Sequence, residues 1–336
     1  MRIDGGLSFD SSDAVTSARR VEADGFDGLW CAETSHDPFL PLVLAAEHTE
    51  HIELGTGITV AFARNPMTMA VVANDLQTYS KGRFLLGLGS QIKPHITKRY
   101  SMPWSHPAAR MREFILAMRA IWSAWHEGTK LAFRGDFYTH TLMTPFFDAG
   151  PSPYGAPLVF LAGVGQRMTE VAGEVADGLL AHGFTTERYM REVTLPALDR
   201  GLAASGRTLG QFQISYPAMI VTGNNDAEIE AAAEGVKAQL AFYGSTPAYR
   251  PVLELHGWGD LQTELNALSK RGEWKEMADL ISDDVVDAFA VVGPPAEVPG
   301  MLLARYGDMV TRISFYAPYR LDHATVLEML ALFKAA

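Results

Sequence analysis

Residues able to do chemistry collect in five short stretches of this chain, each closing or interrupting a run of strand-forming apolar residues. They are Glu33-Thr34-Ser35-His36, Thr56-Gly57-Ile58, Gly89-Ser90-Gln91, Gly163-Val164-Gly165-Gln166-Arg167 and His182-Gly183. A glycine at a strand end lets a ligand approach the backbone, and the free amides of a following helix N-terminus bind phosphate. Gly163 to Arg167 offers both, with a cation added; the competing reading is a tight strand-to-helix turn. Gly57 interrupts a β-branched run, where glycine weakens a strand unless it marks a bulge or the close approach of something flat. Farther along, Tyr249, Arg250, His256 and Trp258 combine aromatic rings with a cation, suited either to closing over a substrate or to packing one helix on another.

Other chemistries lack their minimal patterns. There is no P-loop, no H-E-x-x-H and no G-x-S-x-G elbow. Gly87-Leu88-Gly89 and Gly163-Val164-Gly165 begin as dinucleotide fingerprints do, but Ile92 and Met168 stand where the third glycine belongs. His48 and His51 have helical spacing without an acidic pair nearby, so no metal site is expected. The single cysteine, Cys31, excludes an internal disulfide and a cysteine zinc site. With 28 basic and 39 acidic residues the net charge is −11, against a general nucleic-acid or anionic-membrane partner. Apolar runs such as Leu40 to Ala46 fall far short of the ~20 residues of a bilayer span. The start of the chain lacks an apolar signal core, so the cytoplasm is the expected compartment and a small molecule the expected partner.

The elements that must position these residues alternate short β-rich runs with longer helical ones, which predicts eight strand-helix units around a parallel sheet. Expected strands are Arg2 to Phe9, Asp27 to Glu33, Ile52 to Val60, Arg83 to Gly89, Leu158 to Ala162, Gly178 to His182, Gln211 to Val221 and Arg312 to Tyr316. The first helix is expected from Ser12 to Asp24, with cap oxygens from Asp10, Ser11 and Ser12 and with Gly25 ending it. Pro66 should start the third helix, and another is expected over Ala108 to His126. Ala-Asp-Gly recurs at 23–25 and 176–178, its aspartate read as a turn-stabilising group. The fold expected is a (β/α)8 TIM barrel with insertions, one domain over 1–336. The insertions fall in 129–156, with a hairpin from Lys130 to Leu142, and in 223–310, too long for a simple connection. In such a barrel the ligand site belongs at the C-terminal strand ends.

Several of these stretches together resemble the bacterial luciferase-like family, in its deazaflavin branch that uses coenzyme F420. The resemblance is carried in order and spacing by Gly25-Phe26-Asp27-Gly28-Leu29-Trp30, Glu53-Leu54-Gly55-Thr56-Gly57-Ile58, Arg64-Asn65-Pro66 and Gly82-Arg83-Phe84 through Gly89. Gly163 to Arg167 with Ala176-Asp177-Gly178 continues it. Ser90 through His95 is similar to a subgroup of actinobacterial F420-dependent oxidoreductases. The resemblance implies a non-proline cis peptide at Gly57-Ile58 against the cofactor ring, and a cofactor phosphate on Gly163, Val164, Gly165 and Gln166 with Arg167 nearby. Thr34, Ser90 and Gln91 complete the implied cofactor set.

Where the sugar-phosphate dehydrogenases of the family carry an Asp-His pair, this chain has Glu33-Thr34, against that particular reaction. Glu33, with His36 and His182 behind it, is the candidate for proton transfer, a buried structural role being the alternative. His95, Arg250, His256 and Trp258 are the candidates for the substrate pocket. The activity implied is hydride transfer between F420 and a small organic substrate. The alternatives are an FMN-dependent monooxygenase and a non-catalytic flavin-binding barrel. Homodimers are frequent in the family.

Overall fold

The computed structural model describes every residue except Phe9 and Ser11. Eight parallel strands form a closed barrel: β1 (Arg2–Gly6), β2 (Gly28–Cys31), β3 (Glu53–Thr56), β4 (Phe84–Gly89), β5 (Leu158–Gly163), β6 (Gly178–Ala181), β7 (Gln213–Val221) and β8 (Arg312–Tyr316). Closure is explicit, because β1 pairs with β2 and β8 while β7 pairs with β6 and β8. The architecture is a (β/α)8 TIM barrel. Every residue of β4 is buried, as in a strand covered on both faces.

Helices α1 (Ala14–Asp24), α2 (Phe39–His48), α3 (Pro66–Tyr79), α4 (Pro107–Glu127) and α5 (Gln166–Val175) pack outside. Gly25 ends α1 in the left-handed conformation, and Asn65 caps α3 by accepting from the Thr68 amide ahead of Pro66. Arg83 clamps α2 to the sheet by donating to the carbonyls of Ala46, Thr49 and Ile52, satisfying carbonyls at the C-terminal end of α2. Both repeated aspartates sit in turn networks: Asp177 accepts from Arg119 and from the Val159 amide, and Asp24 meets His323.

Several boundaries differ from the sequence expectation. β1 ends at Gly6 rather than Phe9, and Phe9 and Ser11 lie outside the described residues. α1 begins at Ala14, and Asp10 accepts instead from the amide and hydroxyl of Ser12, closing a local turn in place of the expected cap. β2 is shorter than Asp27 to Glu33, running only from Gly28 to Cys31, and the Asp27 carboxylate ahead of it accepts from the Ile3 amide. The run from Ile52 to Val60 is divided: β3 stops at Thr56, Gly57-Ile58 is a non-proline cis peptide, and Thr59–Val60 pairs separately with β4.

The first insertion carries a short antiparallel hairpin, Phe133–Arg134 with Thr139–His140, its turn held by the Glu113 carboxylate. The second is a run of helices, Asp226–Gly244, Arg250–Leu255, Gly259–Arg271, Trp274–Asp279 and Asp283–Phe289, around an apolar cluster that includes Val236, Leu240, Leu265 and Phe289. It also contributes a strand the sequence reading missed, Ala290–Val292, paired alongside β7. Among the described residues no helix is long and apolar enough to cross a membrane.

Candidate active site

The barrel interior is filled toward its N-terminal end. Trp30 lies where Gly55 has no side chain, since a Cβ there would come within 2.3 Å of the indole, and Phe160 fills the equivalent space at Gly178. The two rings meet edge to face at 5.6 Å. The Asp4 carboxylate accepts from the Trp30 indole N–H at 2.8 Å and from the fully buried Arg312 guanidinium at 2.8 and 2.7 Å, with Glu53 also against Arg312. This paired charge layer and the two rings plug the lower barrel, leaving the C-terminal strand ends as the place for chemistry.

On the β2 to β4 side of that mouth, Gly57 is exposed although Thr56 before it and Thr59 beyond it are buried. The Thr56 hydroxyl bonds both the amide and the carbonyl of Gly87, locking β3 to β4 beneath the cis peptide. The Glu33 carboxylate, 7% exposed, accepts from Arg64 at 2.6 and 2.8 Å, from the Val60 amide at 2.8 Å and from the Tyr100 hydroxyl at 3.3 Å. Arg64 also reaches Asp37 at 2.8 Å. Glu33 is therefore a tethered anion that fixes the segment beyond the cis peptide. Thr34 offers its carbonyl to Arg99, and His36 is exposed, its charge helping to keep the Asp10 carboxyl below its ordinary range after the hydrogen bonds from Ser12. Ser90 is half-buried, its hydroxyl donating to the Gln91 carbonyl, and Gln91 takes φ 59° with its side chain on the Ile92 amide.

At β5 the glycine loop is open. Gly165, Gln166 and Arg167 are exposed, and α5 begins at Gln166 without any side-chain cap. Free amides at the start of a helix are a ready anion site. The Thr169 hydroxyl, buried in the first turn of α5, has no hydrogen-bond partner, and a Cβ on Gly163 would press to 3.3 Å from it. Gly165 has open space where its Cβ would be.

The β6 to β8 side is aromatic. His182, just past β6, accepts the Phe184 amide at Nδ1, at 3.0 Å, and its Nε2 lies 3.1 Å from the Tyr249 hydroxyl. Tyr249 is tilted over the imidazole at 4.6 Å, and Tyr243 meets it edge-on at 4.7 Å. Tyr243 and Tyr316, the last residue of β8, join hydroxyls at 2.9 Å. Burial pushes the His182 imidazole down to about 4 and the Tyr249 phenol up to about 12, so both are neutral across physiological pH.

The structure gathers Glu33, Gly57, Ile58, the 163–167 loop and His182 at one end of the barrel. His95 is exposed at the start of a short π-helical segment, His95–Arg99. Arg250 is committed to Glu254, Gln262 and Thr263, while His256 bonds Thr186 at 2.8 Å and stacks on Trp258 at 4.7 Å. Arg250 is thus held within the insertion, while His256, with Trp258 stacked on it, ties the insertion to the loop that follows β6. The Cys31 thiol is buried and raised to about 11 by that burial, which makes it unreactive. Among the described residues no metal-binding cluster exists. Sequence reasoning missed Tyr243, Tyr316 and the role of Arg64. Tyr316 was within reach, being the end residue of an expected strand; Tyr243 sits mid-pattern in a helix and gave no signal.

The chain belongs to the luciferase-like monooxygenase family, whose model matches residues 3–312. It is similar, at 58% identity over 93% of its length and 92% of the other, to the uncharacterized protein Rv1360 of Mycobacterium tuberculosis. At 28% identity over 81% of each chain it is similar to the putative coenzyme F420-dependent oxidoreductase Rv3520c of the same organism. In fold it is similar to the coenzyme F420-dependent tetrahydromethanopterin reductase from Methanopyrus kandleri, with a TM-score of 0.79, 20% identity and coverage of 98% of this chain and 96% of that one.

Proposed function

We propose that the protein is an oxidoreductase that binds a deazaflavin of the F420 class and transfers a hydride between it and a small organic substrate. The observation that carries the reading is the pairing, at one barrel mouth, of an exposed backbone surface at Gly57 with an uncapped, glycine-lined helix N-terminus at Gly165 to Arg167. A flat ring with a phosphate-bearing tail needs both features. The buried, unpartnered Thr169 hydroxyl and the side-chain-free space at Gly163 and Gly165 agree with such an occupant. The similarity to Rv3520c supports the deazaflavin over other flavins.

When bound, a deazaflavin supplies two-electron hydride chemistry, and the chain supplies orientation and electrostatics. The loop amides and Arg167 would hold the phosphate, Gly57-Ile58 would present backbone to the ring, and the Glu33–Arg64 pair keeps that backbone in place. Thr34, Ser90 and Gln91 would border the ring. Substrate enters against the His182 and tyrosine wall.

A second reading, an FMN-dependent monooxygenase, is favoured by the family description itself and by an anion loop that would receive the FMN phosphate equally well. Side-by-side titration of the apo-protein with F420 and FMN, followed by fluorescence quenching, separates the two. Selective F420 binding is expected. Preference for FMN moves the assignment to oxygen chemistry, and binding of neither would sink both. We also propose a homodimer, for which the exposed apolar residues Leu40 and Val43 of α2 and Val71 and Tyr79 of α3 form the fitting surface.

A further inference from the structure

We propose that Tyr249 is a catalytic residue of this site, a neutral proton donor held in place by His182, and that the site therefore acts on an uncharged carbonyl compound or the corresponding alcohol. The inference rests on the hydride-transfer reading and deepens it.

The hydrogen-bond directions carry the argument. His182 Nδ1 accepts the Phe184 amide, so the neutral ring must carry its proton on Nε2. That Nε2–H can only donate to Tyr249, 3.1 Å away, so the phenol oxygen accepts and its own proton is left to point elsewhere. Among the described residues the Tyr249 hydroxyl has no other hydrogen-bond partner, whereas the neighbouring Tyr243 and Tyr316 hydroxyls are joined at 2.9 Å, one donating to the other. The Tyr249 O–H, unclaimed by any described partner, therefore lies beside the end of β6, where His182 follows Ala181.

The surroundings select the substrate. His182, Phe184, Tyr243, Tyr249 and Tyr316 form a wall without formal charge. The nearest cation in sequence, Arg250, is spent on Glu254, Gln262 and Thr263. A carboxylate or phosphate on the substrate would lose its hydration there without compensation, whereas a carbonyl oxygen needs one donor and finds one. In the reducing direction the carbonyl carbon receives a hydride from the two-electron reductant, the C=O π pair moves onto oxygen, and that oxygen takes the Tyr249 proton. The carbonyl is reduced to the alcohol and the reductant is oxidised by two electrons. The phenolate left behind keeps the His182 Nε2–H bond until water returns a proton. In this scheme His182 is a positioning residue.

The test has two readouts. In the apo-protein labelled with 15N-histidine, NMR should show His182 protonated at Nε2 and bare at Nδ1, with the Nε2 signal moving in Tyr249→Phe. A ring protonated at Nδ1 overturns the proposal whatever the cofactor. With F420 and a matched pair of probes, cyclohexanol and 4-hydroxycyclohexanecarboxylate, the neutral alcohol should be turned over in preference to the charged one. Tyr249→Phe should lower kcat about 100-fold with F420 affinity unchanged. His182→Gln, which retains an N–H donor, should keep most of the activity, while His182→Phe should fall as far as Tyr249→Phe. Equal turnover of the two alcohols, or full activity in His182→Phe, overturns the proposal. Failure of the wild type to bind F420, with the Nε2–H tautomer intact, identifies the hydride-transfer reading as the fault and removes the proposal with it.

Discussion

His182 is a base that burial holds down to about 4 against an ordinary value near 6.5. Between those values the unfolded chain binds a proton that the folded chain refuses, so stability falls as pH drops through that window and is unaffected by this group above it. The loss is at most about 3 kcal/mol for a shift of this size. Urea unfolding at pH 7 and pH 4.5 should show a smaller difference for His182→Gln than for the wild type; an equal difference places the acid sensitivity elsewhere. Glu33 poses a related question, because a carboxylate already holding Arg64, the Val60 amide and Tyr100 has its lone pairs occupied. Glu33→Gln should cost about 1 to 3 kcal/mol by weakening charge-assisted bonds to a half-buried partner. If denaturant midpoints do not move while kcat collapses, Glu33 is the proton carrier instead.

Among the elements, the start of α5 and the β3–β4 pair give opposite expectations for glycine. Gly165 has open space and an ordinary extended backbone at φ −80°, so Gly165→Val should fold normally and obstruct the anion loop. Cofactor affinity should fall at least tenfold, about 1.4 kcal/mol; unchanged affinity would remove the loop from the cofactor site. At Gly87 an added Cβ would stand 1.8 Å from the Thr56 carbonyl oxygen, a backbone atom that cannot yield without opening the sheet. Gly87→Ala should therefore give little soluble protein in an expression assay. Both positions show as glycines at or near a strand end in the sequence, yet one is a functional opening and the other a packing necessity. Periodicity located β4, but the contact with Thr56 depends on the register of two strands that pattern cannot supply.

For the whole molecule, closure of the barrel rests in part on Asp4 of β1 meeting Arg312 of β8 in a dry interior, with side-chain exposures of 1% and 0%. Arg312→Met would leave the Asp4 charge buried with only the Trp30 N–H, a loss of about 3 to 5 kcal/mol in a pair of this kind. Thermal unfolding should drop by several degrees, and an unchanged midpoint would show that water reaches Asp4. At the other end of the barrel, the second insertion supplies Tyr243 and Tyr249 to the mouth, so the segment that departs from the simple repeat also shapes the site.

The sequence alone determined the alternation of strands and helices, and hence the barrel and the end where a ligand belongs, because both follow from local periodicity and a general property of the fold. It also marked Gly57 and the 163–167 loop, since glycine among β-branched residues and ahead of a helix is a local signal. Which groups meet was decided only by the tertiary structure. Tyr249 lies 67 residues from His182, Glu33 lies 31 from Arg64, and Arg312 lies 308 from Asp4. Whether an imidazole is neutral, a carboxylate tethered or a hydroxyl left with its proton unclaimed depends on the partners and dielectric that folding brings to it. Those are properties of the assembled barrel, and no local pattern of residues encodes them.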